Sequence, residues 1–390
     1  AKADSKKVCG IAAKMAKQLK KDKNIKAIIE KADKSAYTQF KDGVSEFEKE
    51  LRETLEELRR REPEALKAAR EQYADDVAFW QVVQYLFYAQ WNALKGYANR
   101  MKIDIIGDLP IYVALDSVDV WSCPQEFQLD ENLLPTEVAG CPPDGFSATG
   151  QLWGNPLFDW DAMAKTGYAW WVRRIRHMCS IYDVVRIDHF RGFAGYYAIP
   201  YGDKTAEHGR WREGPGYALF AAIKKKLGSP RIIAEDLGFL TEDVNALLKE
   251  CGYPGMKVLE FAFDSRDGGD YRPHSYPNNC IAYVGTHDNE PVNGWMETAA
   301  PEDVERAVRY LNLTKKEGYH WGMMRGVWSS VADLAVVQAQ DVLGLGHESR
   351  MNTPSTLGGN WCWRAEPGVF NSRLARRLHD LMELYGRLPE

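Results

Sequence analysis

The sequence predicts an α/β protein. Its main part reads as a TIM-type β/α barrel with about six recognisable strands, preceded by an all-helical segment. Three observations carry this. Short apolar runs recur from Met101 onward, separated by helical stretches and long loops. Such alternation builds parallel β/α units with both sheet faces covered. Several of these runs end in an acidic residue, where barrels carry their functional groups. Residues 1–60, by contrast, show helical spacing and no convincing strand.

The helical part comes first. Residues 1–35 hold eleven Lys and four acidic residues, a local balance of +7. Ile11, Met15, Leu19, Ile25 and Ile29 recur at roughly helical spacing, and Phe47, Leu51, Leu55 and Leu58 continue the pattern. The lysine run is read as a solvated helix face rather than a binding patch. Pro63 opens a third helix, with Leu66, Ala69, Tyr73, Val77, Trp80 and Val83 along one side. Residues 1–60 are therefore taken as a Lys-rich helical segment of unknown role, and 61–390 as the catalytic β/α region.

The strands follow in order. Ile103-Asp-Ile-Ile-Gly107 is the first. Asp183-Val-Val-Arg-Ile187 comes after a helix carrying Trp170, Trp171, Ile175 and Met178. Arg231-Ile-Ile-Ala234 follows a helix over Leu219–Leu227, and Met256-Lys-Val-Leu-Glu-Phe261 one over Thr241–Glu250. Ile281-Ala-Tyr-Val-Gly285 is the fifth, and a sixth is expected near Val336–Leu343.

Composition narrows the function classes. The 390 residues are 45% apolar and 27% charged, which excludes global disorder. A net charge of −5 gives no general attraction for nucleic acid. No uncharged apolar run reaches about 18 residues, so no membrane span is expected. Residues 1–10 lack the apolar stretch of a signal peptide, and the absence of an initial Met suggests a missing or engineered start. Seven cysteines, odd in number, widely spaced and without a CxxC pair, fit a reduced cytoplasmic protein better than a disulfide framework or zinc site. Phosphate-cradling, zinc-protease and serine-elbow motifs do not occur. Thirteen Trp and nineteen Tyr mostly serve an aromatic core, with some available to stack on flat apolar ligand faces such as sugar rings.

The acids carry the chemistry. Asp108, Asp188, Glu235 and Asp288 each fall at or just beyond a predicted strand end. Parallel strands of a barrel share one C-terminal rim, so the four converge. Taken singly, an acid after a strand is often a helix cap, as Asp108 or Asp236 would be. Gathered together, carboxylates split their pKa values and supply both an acid and a base. Two carboxyls flanking a glycosidic bond form the basic machine of glycoside chemistry. Arg186 lies two residues before Asp188, on the same strand face, and can hold it ionised. His189 and His287 stand beside rim acids, where imidazoles can bond sugar hydroxyls.

Six segments now carry a resemblance. Val185-Arg-Ile-Asp-His-Phe-Arg-Gly-Phe193, Ile232-Ile-Ala-Glu-Asp-Leu-Gly238 and Gly285-Thr-His-Asp-Asn289 resemble the catalytic segments of the amylomaltases, also called 4-alpha-glucanotransferases or disproportionating enzymes. Gly107-Asp-Leu-Pro-Ile-Tyr-Val113, Pro142 to Pro156 and Met351 to Trp361 agree with them as well. The likeness runs from about Arg61 to the C-terminus. It implies Asp188 as nucleophile, Glu235 as general acid and base, and Asp288 as stabiliser of the distorted sugar. Arg186, His287 and Asp108 would position that sugar. Phe146, Gln151 and Trp153 would border the acceptor side, and Asn352 the donor side. The implied substrates are α-1,4-glucans and maltooligosaccharides, with glucose or a maltooligosaccharide as acceptor. No metal, organic cofactor, nucleic acid or membrane partner is implied.

Departures from the family pattern leave two alternatives. The first two barrel strands and a short sugar-contact segment of the family are not found, and Gly145 stands where some members have Tyr. An eight-stranded barrel lacking adjacent strands exposes sheet edges. The chain is thus expected to be a fragment, a deletion variant or a redesign. An amylase-type retaining hydrolase, or an impaired variant that only binds glucan, are the rival readings.

Overall fold

The computed structural model describes residues 55–143, 147–238, 240–265, 270–354, 356 and 358–388. The Lys-rich segment 1–60 thus lies outside the described residues except for 55–60, which are helical. The chain divides into two compact units.

The first unit comprises Ala1–Ile103, Tyr112–Glu137 and Gly154–Ala162. Pro63 does open a helix, Pro63–Gln72. The single helix expected there is two, because Tyr73 leaves helical dihedrals (φ −107°, ψ 28°) before a second helix, Ala74–Arg100. The hydrogen-bond ladder still passes the break, from Tyr73 N–H to the Ala69 carbonyl and from Val77 N–H to the Tyr73 carbonyl, both 2.9 Å. No residue of either helix is buried, and Trp80 is 62% exposed. Periodicity thus reported the helix but not the fate of its apolar stripe. The core of this unit is aromatic: Phe158 stacks with Tyr112 at 6.0 Å and tilts against Phe127 at 5.3 Å.

The second unit comprises Asp104–Ile111, Val138–Trp153 and Met163–Glu390. Six parallel strands lie in it in chain order. One sheet pairs β1 (Ile106–Leu109), β4 (Val184–Ile187) and β7 (Ile232–Ala234). The other pairs β8 (Gly255–Val258), β9 (Cys280–Tyr283) and β10 (Leu334–Val336). The Ala234 N–H donates to the Pro254 carbonyl at 3.0 Å, so the two sheets meet between β7 and β8. Every residue of β4, β7 and β9 is buried, as strands covered on both faces require. Val184, Ile233, Met256, Val258, Ile281 and Tyr283 pack together as one core drawn from both sheets. Helices cover the outside. In Ala169–Ile181, the indole of Trp171 is fully buried and meets Phe193 edge-to-face at 5.1 Å.

Three strand expectations are corrected. The first strand is Ile106–Leu109 and not Ile103–Gly107, so Asp108 lies within it and not beyond its end. The run Met256–Phe261 is a strand only to Val258, after which Leu259–Phe263 winds into a 3-10 turn. The last strand is Leu334–Val336, and Ala339–Leu343 is helical. That helix buries Gln340 and Asp341, whose carboxyl accepts the Val292 N–H at 2.7 Å; polar residues this close together do not continue a buried strand. A four-stranded sheet was not anticipated. It runs β3–β2–β5–β6, with β2 Glu137–Cys141, β3 Gln151–Pro156, β5 Gly195–Pro200 and β6 Arg210–Glu213. Its last strand contains three charged residues among four, so hydropathy gave no sign of it.

Candidate active site

Strand register builds the site. Asp108 of β1 pairs with Arg186 of β4 in the parallel ladder. Alternation then puts Asp188 on the same side as Arg186. The Arg186 guanidinium is held between them: Nη1 lies 2.7 Å from both Asp108 carboxyl oxygens and 3.0 Å from Asp188 Oδ1. Its Nε meets Met256 Sδ at 3.3 Å, so the arginine is buried against β8. Gly107 makes room beneath. A Cβ there would come 2.1 Å from the Tyr182 ring.

Glu235 leaves β7 one step beyond Ala234, level with Asp188. The ladder continues past the strands, with Asp188 N–H to the Leu109 carbonyl and Glu235 N–H to the Ile187 carbonyl, both 2.9 Å. These bonds fix both acids on one rim. The Glu235 carboxyl accepts two main-chain donors, Leu237 N–H at 2.7 Å and His189 N–H at 2.8 Å. His189 adopts φ 52°, a left-handed conformation that a histidine tolerates better than a bulkier residue.

Electrostatics separates the two acids. Burial raises Glu235 to about 7, reinforced by the negative charge of Asp188 and opposed by Arg186 and the two N–H donors. Asp188 is also raised, first by the crowding walls although 44% of its side chain stays accessible. Arg186 pulls it back, while Asp108 and Asp288 push it further up. Asp188 therefore feels Arg186, Asp108 and Asp288 at once, as convergent acids must.

Asp288 reaches the site from a turn beyond β9. Asn352 Nδ2 donates to Asp288 Oδ1 at 2.6 Å, and His287 Nε2 lies 3.5 Å from Asp288 Oδ2. The Asn352 N–H binds the His287 carbonyl at 3.1 Å, so the turn and the 351–354 segment run side by side. Trp361 brings its ring to 5.1 Å from that of His287. On the other flank, Trp153 of β3 packs edge-to-face on the His189 ring at 4.8 Å. Gln151 accepts the Trp153 indole N–H at 3.1 Å. Burial, with Arg191, pushes the His189 imidazole down to about 3, so the ring is neutral.

Contacts thus join Asp108, Arg186, Asp188 and Glu235 on one side and His287, Asp288 and Asn352 on the other, the two groups linked by the charge of Asp288 acting on Asp188, with Gln151 and Trp153 joined through His189. Phe146 lies outside the described residues. Neither Asp108 nor Asp236 caps a helix. Asp236 accepts the Met256 N–H at 2.6 Å and so braces β8. Sequence reasoning missed Glu290 and Arg350, which tie the Asp288 turn from behind. Their one signal was the position of Arg350 just before the Met351–Trp361 segment.

Comparison with known proteins shows the family. A family model described as 4-alpha-glucanotransferase matches residues 6–370, and so also takes in most of the Lys-rich segment. A 4-alpha-glucanotransferase of Clostridium butyricum is 51% identical over 333 residues, spanning 85% of this chain and 68% of that protein. One of Thermus thermophilus is 46% identical over 338 residues, with the same shares. Among solved structures, an amylomaltase of Streptococcus agalactiae in complex with acarbose superposes with a TM-score of 0.82 at 38% identity, covering 98% of this chain and 79% of that one. With a matching family model over most of its length and relatives near half identity, this chain belongs to the 4-alpha-glucanotransferase family.

Proposed function

We propose that this chain transfers glucan segments between α-1,4-glucans by a retaining double displacement. The observation that carries this is the unequal pair at the rim. Asp188 stands against a buried guanidinium, whereas Glu235 is a buried acid raised to about 7. One suits a nucleophile and the other a proton donor.

In the first step the Asp188 carboxylate attacks the anomeric carbon. The bond to the glycosidic oxygen breaks, and Glu235 gives its proton to that oxygen. The donor part remains as an ester of Asp188 with inverted configuration. In the second step ionised Glu235 takes the proton from the 4-hydroxyl of glucose or a maltooligosaccharide. The oxygen attacks the anomeric carbon, the ester bond breaks, and the α configuration returns. Asp288, held by Asn352, faces the cation-like sugar. Asp108, Arg186 and His287 position it. Gln151 and Trp153 border the acceptor, and Asn352 lies toward the donor. Transfer outruns hydrolysis when the acceptor is held in place and water is excluded. Family membership favours transfer over the hydrolase alternative.

The six parallel strands in chain order support reading the second unit as the catalytic side of a TIM-type barrel with the acids on its C-terminal rim. The cysteine pattern supports a cytoplasmic setting. The test is incubation with maltotriose. Glucose and a ladder of longer maltooligosaccharides are expected; unchanged maltotriose would refute the reading, and glucose with maltose alone would replace it by hydrolysis.

A further inference from the structure

We propose that Arg350 is a positioning residue of the transfer reaction, locking Asp288 and Asn352 together through their main chains. This rests on the role given to Asp288 above and adds a residue that touches no sugar.

Asp288 differs from the other two acids in how it is held. Asp188 and Glu235 hang from ladder bonds to neighbouring strands. Asp288 sits five residues past Tyr283, in a turn closed on itself. Thr286 N–H and its hydroxyl donate to Asn289 Oδ1 at 2.9 and 2.8 Å, and Asp288 N–H meets Thr286 Oγ1 at 3.3 Å. Such a turn fixes its own shape but not its place on the rim. Arg350 adds a side-chain tie from outside to the Asn352 N–H bond on the His287 carbonyl. Its Nη2 donates to the Asp288 carbonyl at 2.6 Å and its Nε to the Asn352 carbonyl at 2.9 Å. Nη1 faces the Glu290 carboxylate. One rigid guanidinium thus spans three acceptors on two segments, a geometry that a lysine cannot reproduce.

Glu290 keeps the fork aligned. Its side chain is 13% exposed and that of Arg350 19%, so the pair is largely shielded. His347 Nδ1 lies 2.9 Å from the same carboxylate oxygen, and a Cβ at Gly294 would come 2.8 Å from the other. The ring of contacts closes at the front, where Asn352 Nδ2 holds Asp288 Oδ1 at 2.6 Å. Asp288 is therefore gripped at both its carboxylate and its carbonyl. A displacement of about 1 Å at a reacting centre costs on the order of a hundredfold in rate.

The experiment is a mutant cycle on maltotriose disproportionation. Arg350→Lys keeps a cation beside Glu290 and so should fold. Its kcat is expected to fall about 10- to 100-fold with KM within about twofold of wild type. Glu290→Gln should shift kcat in the same direction. Adding Arg350→Lys to Asp288→Asn should slow that variant no further, because Arg350 acts through Asp288. A near-normal kcat in Arg350→Lys, or losses that multiply in the double variant, overturns the proposal while leaving the catalytic assignment standing. Wild-type turnover in Asp288→Asn alone brings down both.

Discussion

The main-chain N–H of His189 donates to Glu235 Oε2 at 2.8 Å, so the residue directly after Asp188 grips the second acid of the site. Asp188 and Glu235 are thereby set in mutual register by one backbone bond. Neither acid can shift along its strand end without straining the other.

The rate should follow the protonation of Glu235. A general acid works while it holds its proton, and burial keeps this one protonated up to about pH 7. With maltotriose, kcat/KM is expected to fall about tenfold per pH unit above that point. A glucosyl fluoride donor needs little protonation of its leaving group, so its first step should survive in Glu235→Gln. A profile flat from pH 6 to 9 would remove Glu235 from the acid role.

Stability should follow the same titration. The folded-state pKa of Glu235 lies above its ordinary value of 4.5, so folding holds the proton more tightly than the unfolded chain does. That contribution is complete below about pH 4.5 and is lost as pH rises through about 7. Glu235→Gln, which never ionises, should therefore be more stable than wild type at pH 8, by up to about 3 kcal/mol. The gap should shrink to about 1 kcal/mol at pH 5. Melting curves at both pH values check this, and equal differences at the two would contradict it.

Asp188→Asn should lose turnover by at least about a thousandfold. Shape and volume are kept, and the Arg186 cation still faces Asp108 at 2.7 Å, so circular dichroism and gel filtration should be unchanged. A variant that still builds the maltooligosaccharide ladder at near wild-type rate would exclude Asp188 as nucleophile.

Arg186→Lys tests the cation between the two acids. A single ammonium cannot reproduce the contacts to Asp108, Asp188 and Met256 Sδ together. Turnover is expected to fall about 10- to 100-fold. Unchanged kcat would mean that charge alone suffices there.

Trp153→Ala should alter the partition of the intermediate rather than its formation. The indole packs on His189 and is 37% exposed, available to a bound sugar. Without it, the fraction of cleavages ending in water should rise, read as new reducing ends per cleaved bond. An unchanged ratio would take Trp153 out of acceptor binding.

Much of the second unit was legible in the linear order of residues. Strands β4, β7 and β9 are buried throughout, so apart from Arg186 their residues are apolar, and Asp188 and Glu235 stand directly beyond β4 and β7. Local patterning sets such features because burial acts residue by residue. The sheet of β2, β3, β5 and β6 escaped notice, since a strand like Arg210–Glu213 is specified by its partners and not by its own hydropathy. Register escaped too: only the pairing of β1 with β4 sets Asp108 beside Arg186, 78 positions apart. The raised pKa of Glu235 and the grip of Arg350 on Asp288 likewise depend on groups remote in sequence, brought close by packing. Spacing and the family resemblance pointed to the acids at the strand ends; the burial of Glu235 and the contact of Asp188 with Arg186 came only from three-dimensional proximity.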